Sequence, residues 1–550
     1  MELKKKYKTF FLLIPFAICL MPSSFSQTAP GIEWQNTIGG SSSDVLYDIQ
    51  QTADNGYILG GSSFSNISGD KTENSNGAFD YWIVKTGASG NIQWQNTIGG
   101  SDNDELHSIR QTTDGGYILG GHSWSNISGD KIENCIGGWD YWIVKTDSLG
   151  TIQWQNTIGG NDYDYLFSIE QTSDGGYILG GYSFSIISGD KTENGNGLSD
   201  YWPVKTDASG IVQWENSIGG STSDALRSIE QTADGGYILG GRSNSNISGD
   251  KTENCIGGTY LDYWIVKTDA SGIIQWQNTI GGTNGDELFS IQQTNDGGYI
   301  LGGHSWSNIS GDKTENSCNN TFDYWIVKTD ATGNIQWQKT IGGNSADYLR
   351  SIQQTADGGY ILGGYSWSGI SCDKTENNWD TTFATSDYWI VKTDTSGIIQ
   401  WEKTIGGNNE DWLYSIQQTA DGGYILGGWS TSNISGDKTE NSNGTEDYWI
   451  VKLFPDTITG ITQLPQLPNF PISIFPNPLT TQSKLTFKNP SKEKFLFTLY
   501  DITGRITENV STTNKEIILT KGSKQHGVYL FNFMNEKRGE RWNGKIVISN

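Results

Sequence analysis

The chain has 550 residues, of which 71 are glycine and only 18% are charged, a composition that excludes a helical bundle and a disordered chain. Its formal charge of −25 comes from 61 Asp and Glu against 36 Lys and Arg, and the carboxylates recur evenly along the chain. That balance argues against nucleic acid and anionic membrane as partners.

At the N-terminus Lys4, Lys5, Lys6 and Lys8 precede an apolar run from Phe10 to Met21, followed by Ser24-Phe25-Ser26. This order reads as a secretory signal peptide over residues 1–26, cut after Ser26. Cys19 would be a lipoprotein site, but Ile18 stands before it where a small residue is wanted. No other stretch is long and apolar enough to span a membrane.

The phrase I-x-W-x-x-[TS]-I-G-G then returns at Trp34, Trp94, Trp154, Trp214, Trp276, Trp337 and Trp401, at spacings of 60, 60, 60, 62, 61 and 64 residues. Between tryptophans the same words recur in order, D-x-L-x-S-I-x-Q-T, D-G-G-Y-I-L-G-G, S-G-D-K-T-E-N and D-Y-W-I-V-K-T-D, which marks a repeat array over residues 32–453. In the second repeat, residues 108–112 lead into Asp114-Gly115, a dipeptide that predicts a two-residue type I′ hairpin, and residues 117–120 return. Residues 140–146 and 151–158 form a second hairpin about Asp147-Ser148-Leu149-Gly150, so each repeat is a four-stranded meander. Ile109, Ile118, Trp142, Val144 and Trp154 can be buried only against neighbouring meanders, and radial stacking buries them. The array opens at Ile32 on a lone fourth-strand phrase and ends at Asp447–Leu453 on a third-strand phrase. Pairing the two predicts a closed ring of seven blades, six continuous and one shared, with no open edge.

These phrases resemble those of the β-propeller superfamily. Tyr-Ile-Leu-Gly-Gly followed by Asp-Tyr-Trp and a later Trp is kelch-like, and Asp207 to Trp214 (D-A-S-G-I-V-Q-W) is similar to the tryptophan-docking phrase of quinoprotein-type propellers. The quinoprotein turn is one residue longer between Asp and Gly, and the kelch spacing differs. The resemblance implies an all-β, seven-bladed propeller closed by the N-terminal strand, and no cofactor is carried over with it.

Both short turns of each meander lie on one face of the ring and both long connections on the other. Three columns drift between repeats near the long-loop face. The first is Tyr47, His107, Phe167, Arg227, Phe289, Arg350 and Tyr414; the second is Ser62, His122, Tyr182, Arg242, His304, Tyr365 and Trp429. Their members lie 15 apart, so a hairpin about Asp-Gly would set them opposite one another, with Arg227 facing Arg242 and needing an anion or carboxylate between them. The third is Phe64, Trp124, Phe184, Asn244, Trp306, Trp367 and Thr431, five of the seven being aromatic rings suited to stacking on sugars or on a protein partner, or to covering the blade ends. Asp and Glu of D-K-T-E-N, as at Asp70 and Glu73, could hold calcium, but the lysine between them favours a solvated turn with local ion pairing.

Cys135, Cys255, Cys318 and Cys372 fall in the same segment of different repeats. Export permits disulfides, and a bridge between neighbouring blades, such as Cys255 with Cys318, stands beside free thiols as an open alternative. The raw material for catalysis is thin. The propeller has three histidines, His107, His122 and His304, four arginines, Arg110, Arg227, Arg242 and Arg350, and no nucleophile elbow, zincin or phosphate-loop motif. No metal site is expected.

Pro455, Pro465, Pro468 and Pro471 mark a stiff linker over residues 454–471, and residues 472–550 alternate like the strands of a small immunoglobulin-like β-sandwich. Pro476-Asn477-Pro478, Tyr500-Asp501 with Gly504-Arg505, Gly527-Val528-Tyr529 and Lys545 follow in that order. This stretch resembles the C-terminal sorting domain of the type IX secretion system of Bacteroidetes. The resemblance implies the secretion machinery as a partner and a secreted or outer-membrane cell-surface location, with these residues serving sorting. Together the readings describe a monomeric surface propeller that binds polysaccharide or another surface partner. The alternative is a glycosidase or lyase working on the long-loop face.

Overall fold

The computed structural model describes residues 28–380, 384–456, 473–501, 505–535, 537 and 541–549. The signal-peptide residues 1–26, most of the proline-marked linker and Gly504 lie outside them. The chain divides into two compact units, Met1–Thr459 and Gly460–Asn550.

The first unit is a ring of seven antiparallel sheets. Blade 1 orders its strands Asp44–Gln51, Tyr57–Ser63, Asp80–Thr86 and Ile92–Ile98, and the pattern recurs from Asp104, Asp164, Asp224, Asp286 and Asp347 in blades 2 to 6. Blade 7 takes Asp411–Gln418, Tyr424–Ser430 and Asp447–Leu453 from the end of the array and its outer strand, Ile32–Ile38, from the start. That strand pairs antiparallel from Ile32 opposite Leu453 to Ile38 opposite Tyr448, which closes the ring.

The repeated words are contacts between blades. Trp82 and its counterparts in D-Y-W are fully buried. Tyr81 Oη donates to the Trp142 carbonyl of the next blade (2.9 Å), and Tyr448 Oη does the same to Trp82 across the closure. The double glycine of Y-I-L-G-G is demanded by close approach: a Cβ on Gly60 would lie 2.7 Å from Ile109 of blade 2, and one on Gly61 2.0 Å from the Val45 carbonyl. The outer tryptophans dock the next blade too, Trp34 on Gly90, with Asn36 Nδ2 donating to the Gly90 carbonyl at 2.7 Å.

Two local expectations are corrected, and the open pairing of the cysteines is resolved. The Asp-Gly hairpins are not type I′: only the glycine has positive φ (Gly115 at +86°), Gly115 N–H donates to Thr112 O, and Thr112 N–H donates to Gly116 O. This is a three-residue loop with a type I turn and a left-handed fourth residue, held by the Asp114 carboxylate accepting from Thr112 Oγ1 (2.5 Å) and Gly116 N–H (3.0 Å). D-K-T-E-N is not a solvated turn. Lys71 is buried with its ammonium 5.1 Å from the Trp82 ring centre and bonded to Thr97 Oγ1, while Asp70 and Glu73 accept from the N–H groups of Gly39 and Thr97. A disulfide does join neighbouring blades, with Cys372 rather than Cys255 as the partner of Cys318, and Cys135 and Cys255 are thiols. Cys372 replaces the left-handed glycine of S-G-D, and Cys318 stands where Asn76, Ile136 or Trp379 covers that glycine of the following blade. The bridge substitutes for a contact the other blade junctions make without sulfur.

The second unit is a β-sandwich. Ser473–Phe475, Gln482–Thr486 and Glu516–Thr520 form one sheet, and Ile506–Thr512, Phe495–Tyr500, Gly527–Asn535 and Arg541–Ile548 the other. Leu485, Phe497, Leu519, Phe533 and Ile546 fill the space between them.

Candidate functional site

The inner strand of every blade slips register by one residue. In blade 4, Ala225 is opposite Arg242, Leu226 opposite Gly241 and Ser228 opposite Gly240, so Arg227 is left over in a β-bulge. Arg227 therefore does not face Arg242, contrary to the fifteen-residue spacing argument. Arg242 pairs instead with the Glu287 carboxylate of blade 5.

The bulge recurs in all seven blades and sends the whole first column to one place. Tyr47, His107, Phe167, Arg227, Phe289, Arg350 and Tyr414 line a single cavity of about 170 Å³. They form an unbroken wheel of ring contacts. Tyr47 lies 4.6 Å from His107 and 5.2 Å from Tyr414, and His107 is 4.8 Å from Phe167. The Arg227 guanidinium covers Phe167 at 4.2 Å and Phe289 at 5.6 Å; that of Arg350 covers Phe289 at 4.3 Å and Tyr414 at 5.5 Å. Burial, then the charges of Arg242 and Arg350, bring Arg227 down to about 10. A cation–π contact contributes about 0.5–2 kcal/mol. That does not offset the several kcal/mol of removing an unpaired charge from water.

A second wheel lies toward the short-turn face and lines a cavity of about 260 Å³ that includes Gln50, Arg110, Glu170, Glu230, Gln292 and Gln353. Most of these side chains accept from a backbone N–H of the next blade, as Glu170 does from Gln231 (2.9 Å) and Gln50 from Gln111 (2.7 Å). Burial pushes Glu230 up to about 7. Sequence comparison passed over this drifting column because Glu and Gln alternate in it; its one cation, Arg110, faces Asp48, which replaces the serine of the other blades.

Beside the first wheel, Glu105 Oε2 lies 3.8 Å from His107 Nε2 and 3.7 Å from His122 Nε2. These three groups could ligate a metal ion. Glu105 escapes a reading by spacing because it belongs to neither histidine column. Burial, with His122 and Arg227 adding to it, holds His107 well below its ordinary value.

A third opening lies on the long-loop face over blade 4. Its cause is two small substitutions: Ala225 stands where other blades have Val45, Glu105, Tyr165, Glu287, Tyr348 or Trp412, and Asn244 replaces the aromatic of the third column. Asn244 Oδ1 turns back to accept from Thr222 Oγ1 (2.7 Å) and Ser223 N–H (2.9 Å). The vacated space is a cleft of about 550 Å³ between Tyr182, Phe184, Arg242, Tyr260, Glu287 and Trp306. Phe184, Trp306 and Tyr260 are 38%, 41% and 48% exposed. Tyr260 sits on a two-residue insertion whose signal is the 62-residue spacing between Trp214 and Trp276.

Of the aromatic residues singled out by drift, Phe184 and Trp306 thus meet in one cleft with Arg242. Packing alone does not set them apart, since Trp306 leans on Phe322 (5.8 Å) and Phe184 on Tyr182 (5.9 Å) as Phe64 leans on Phe79 (5.5 Å), Trp124 on Trp139 (5.9 Å), and Trp367 on Tyr365 and Trp412 (5.4 and 6.0 Å); what distinguishes them is the cavity between them.

In the second unit Asn477 Oδ1 accepts from Val547 N–H (2.9 Å) and the Leu479 N–H donates to the Val547 carbonyl (2.7 Å), tying Pro476-Asn477-Pro478 to the last strand. Asp501 holds Arg505 through its Nε (3.0 Å), Tyr529 is buried and bonded to the Gln525 carbonyl (3.1 Å), and Tyr500 pairs with Leu530. Gly527 opens its strand with φ of +149°, and Lys545 is exposed.

Residues 473–549 match the family described as the secretion system C-terminal sorting domain. The chain is 23% identical over 324 residues to the regulatory protein FlaEY of Caulobacter vibrioides, covering 54% of this chain and 33% of that protein. It thus spans about a third of that relative's length. Among solved structures it is similar to PorZ, an essential surface component of the type-IX secretion system of Porphyromonas gingivalis, with a TM-score of 0.38, 10% identity, and coverage of 93% of this chain and 60% of that one. A puromycin hydrolase mutant complexed with PGG gives 0.43 and 11%, over 84% and 62% of the two chains. The sorting domain marks a protein exported by the type IX system to the outside or to the cell surface, and it implies contact with the secretion machinery. Among the described residues no helix is long and apolar enough to cross a membrane.

Proposed function

We propose that this exported propeller binds polysaccharide in the blade 4 cleft. The supporting observation is the pairing of a cavity left by Ala225 and Asn244 with half-exposed rings on its walls, Phe184, Tyr260 and Trp306, and one fixed polar pair, Arg242 with Glu287. Aromatic rings stack on the apolar faces of sugars while a few placed polar groups fix orientation. The net charge of −25 favours neutral over polyanionic glycans. Glu287 is the one carboxylate among the lining residues, and Arg242 occupies it, which favours binding over hydrolysis by paired carboxylates.

Glycan arrays followed by calorimetry test the reading. Phe184→Ala and Trp306→Ala should each weaken binding about tenfold, equivalent to about 1.4 kcal/mol, with unchanged melting temperature. Trp124→Ala should leave affinity intact. Equal loss in all three variants, or turnover of the bound polysaccharide, would sink the assignment.

A further inference from the structure

The four propeller arginines divide into two pairs. Arg110 sits on Asp48 and Arg242 on Glu287. Arg227 and Arg350 have no carboxylate within 4 Å among the described residues, in a chain that carries 61 acidic side chains. Their Nε atoms are buried without a hydrogen-bond partner. Arg350 Nη2 donates to Tyr365 Oη at 2.5 Å, a neutral acceptor.

The Arg227 and Arg350 guanidiniums sit over the Phe167 and Phe289 rings at 4.2 and 4.3 Å from the ring centres, and both line the axial cavity. No acidic side chain lines that cavity; the other five residues are Tyr47, His107, Phe167, Phe289 and Tyr414. Two guanidiniums with unpartnered Nε–H donors beside an aromatic wall are complementary to a planar anion with an apolar body. The volume of about 170 Å³ is close to that of cavities that take one benzene ring.

We propose that the axial cavity is a binding site for a small carboxylate whose body is no larger than a six-membered ring, with Arg227 and Arg350 receiving the carboxylate and Phe167, Phe289, Tyr47 and Tyr414 enclosing the body. The site is separate from the blade 4 cleft and does not depend on it. Bare inorganic phosphate would satisfy the cations but leave the aromatic wall unused.

Calorimetry on the intact secreted chain tests this with benzoate and glucuronate, their neutral counterparts benzamide and glucose, and inorganic phosphate. Saturable one-to-one binding of a carboxylate is expected, weakened by salt, with its neutral counterpart at least tenfold weaker. A preference for benzoate identifies an aromatic acid, and one for glucuronate a sugar acid. Arg227→Gln and Arg350→Gln should each lose at least tenfold. Without ligand, Arg227→Gln should melt higher than wild type, because it removes an uncompensated charge; a purely structural stacking role predicts a lower value. Where a variant does not fold, a rise in wild-type melting temperature with carboxylate but not amide serves as the readout. No saturable carboxylate binding, unchanged affinity in both variants, or phosphate binding as tightly as either carboxylate overturns the proposal.

Discussion

At the scale of single residues, the repeat offers its own controls. The left-handed position after each turn aspartate is glycine in six blades and Asn55 in blade 1, at φ +65°. Asparagine tolerates this region through local hydrogen bonding, whereas a Cβ without that option meets the preceding carbonyl. Gly235, at φ +85° with open space around it, isolates the backbone cost from any packing clash. Gly235→Ala should therefore destabilise by about 1–2 kcal/mol and lower the melting temperature, while Asn55→Gly should change it little. Equal melting of Gly235→Ala and wild type would show that the turn can relax out of the left-handed region.

At the scale of elements, blade 3 shows what one imino acid does to a shared ladder. Its third strand reads D-Y-W-P-V-K-T and breaks into Asp200–Tyr201 and Val204–Thr206, and the outer strand shrinks to Val212–Glu215. Asn216 N–H still donates to the Pro203 carbonyl (3.2 Å), but Pro203 has no N–H to return the bond. The six other blades place isoleucine there, each fully buried. Pro203→Ile should restore the pair and raise stability by about 1 kcal/mol. A lower melting temperature would mean that the blade has repacked around the ring of Pro203. Period-two alternation and Asp-Gly punctuation made the meanders legible in sequence. The bulge at Arg227 shows in the sequence only as the odd three-residue spacing of Leu226 and Ile229, both buried; which residue is left over is settled by contacts with the preceding blade, where both pack on Gly180. Without the bulge the first column has no common destination, although each of its members stands out by drift. The blade 4 cleft was half legible: Phe184, Trp306 and Arg242 stood out by drift, while Ala225 matters by what it fails to fill.

At the scale of the whole molecule, sevenfold repetition multiplies two opposed kinds of carboxyl group. Burial, with the neighbouring Asp347 and Asp411 charges adding to it, lifts Asp323 and Asp387 to about 8, and burial brings Asp80, Asp164 and Asp262 to about 7. In the turns, burial is the largest single influence and acts upward, but Thr, Lys and backbone N–H donors together outweigh it and hold Asp54, Asp114, Asp174, Asp234 and Asp296 at about 2. A raised carboxyl binds more protons in the folded state, so its contribution is complete below the unfolded value near 4 and is lost as pH rises through about 7 to 8. A lowered one contributes above about 4 and is lost as pH falls toward about 2. The buried lysines Lys71, Lys313 and Lys438, brought down to about 8 by burial, oppose the first group only near pH 8, since below about 7 they are charged in both states. The melting temperature should therefore climb as pH is lowered from about 7 to 5 and fall below about 4. Surface repulsion in a chain of charge −25 acts in the same direction but is screened by salt, whereas the buried carboxyls are not. Melting curves in high salt separate the two: the climb should persist there and flatten in Asp387→Asn. A climb abolished by salt would assign it to surface charge and remove the buried carboxyl layer from the explanation.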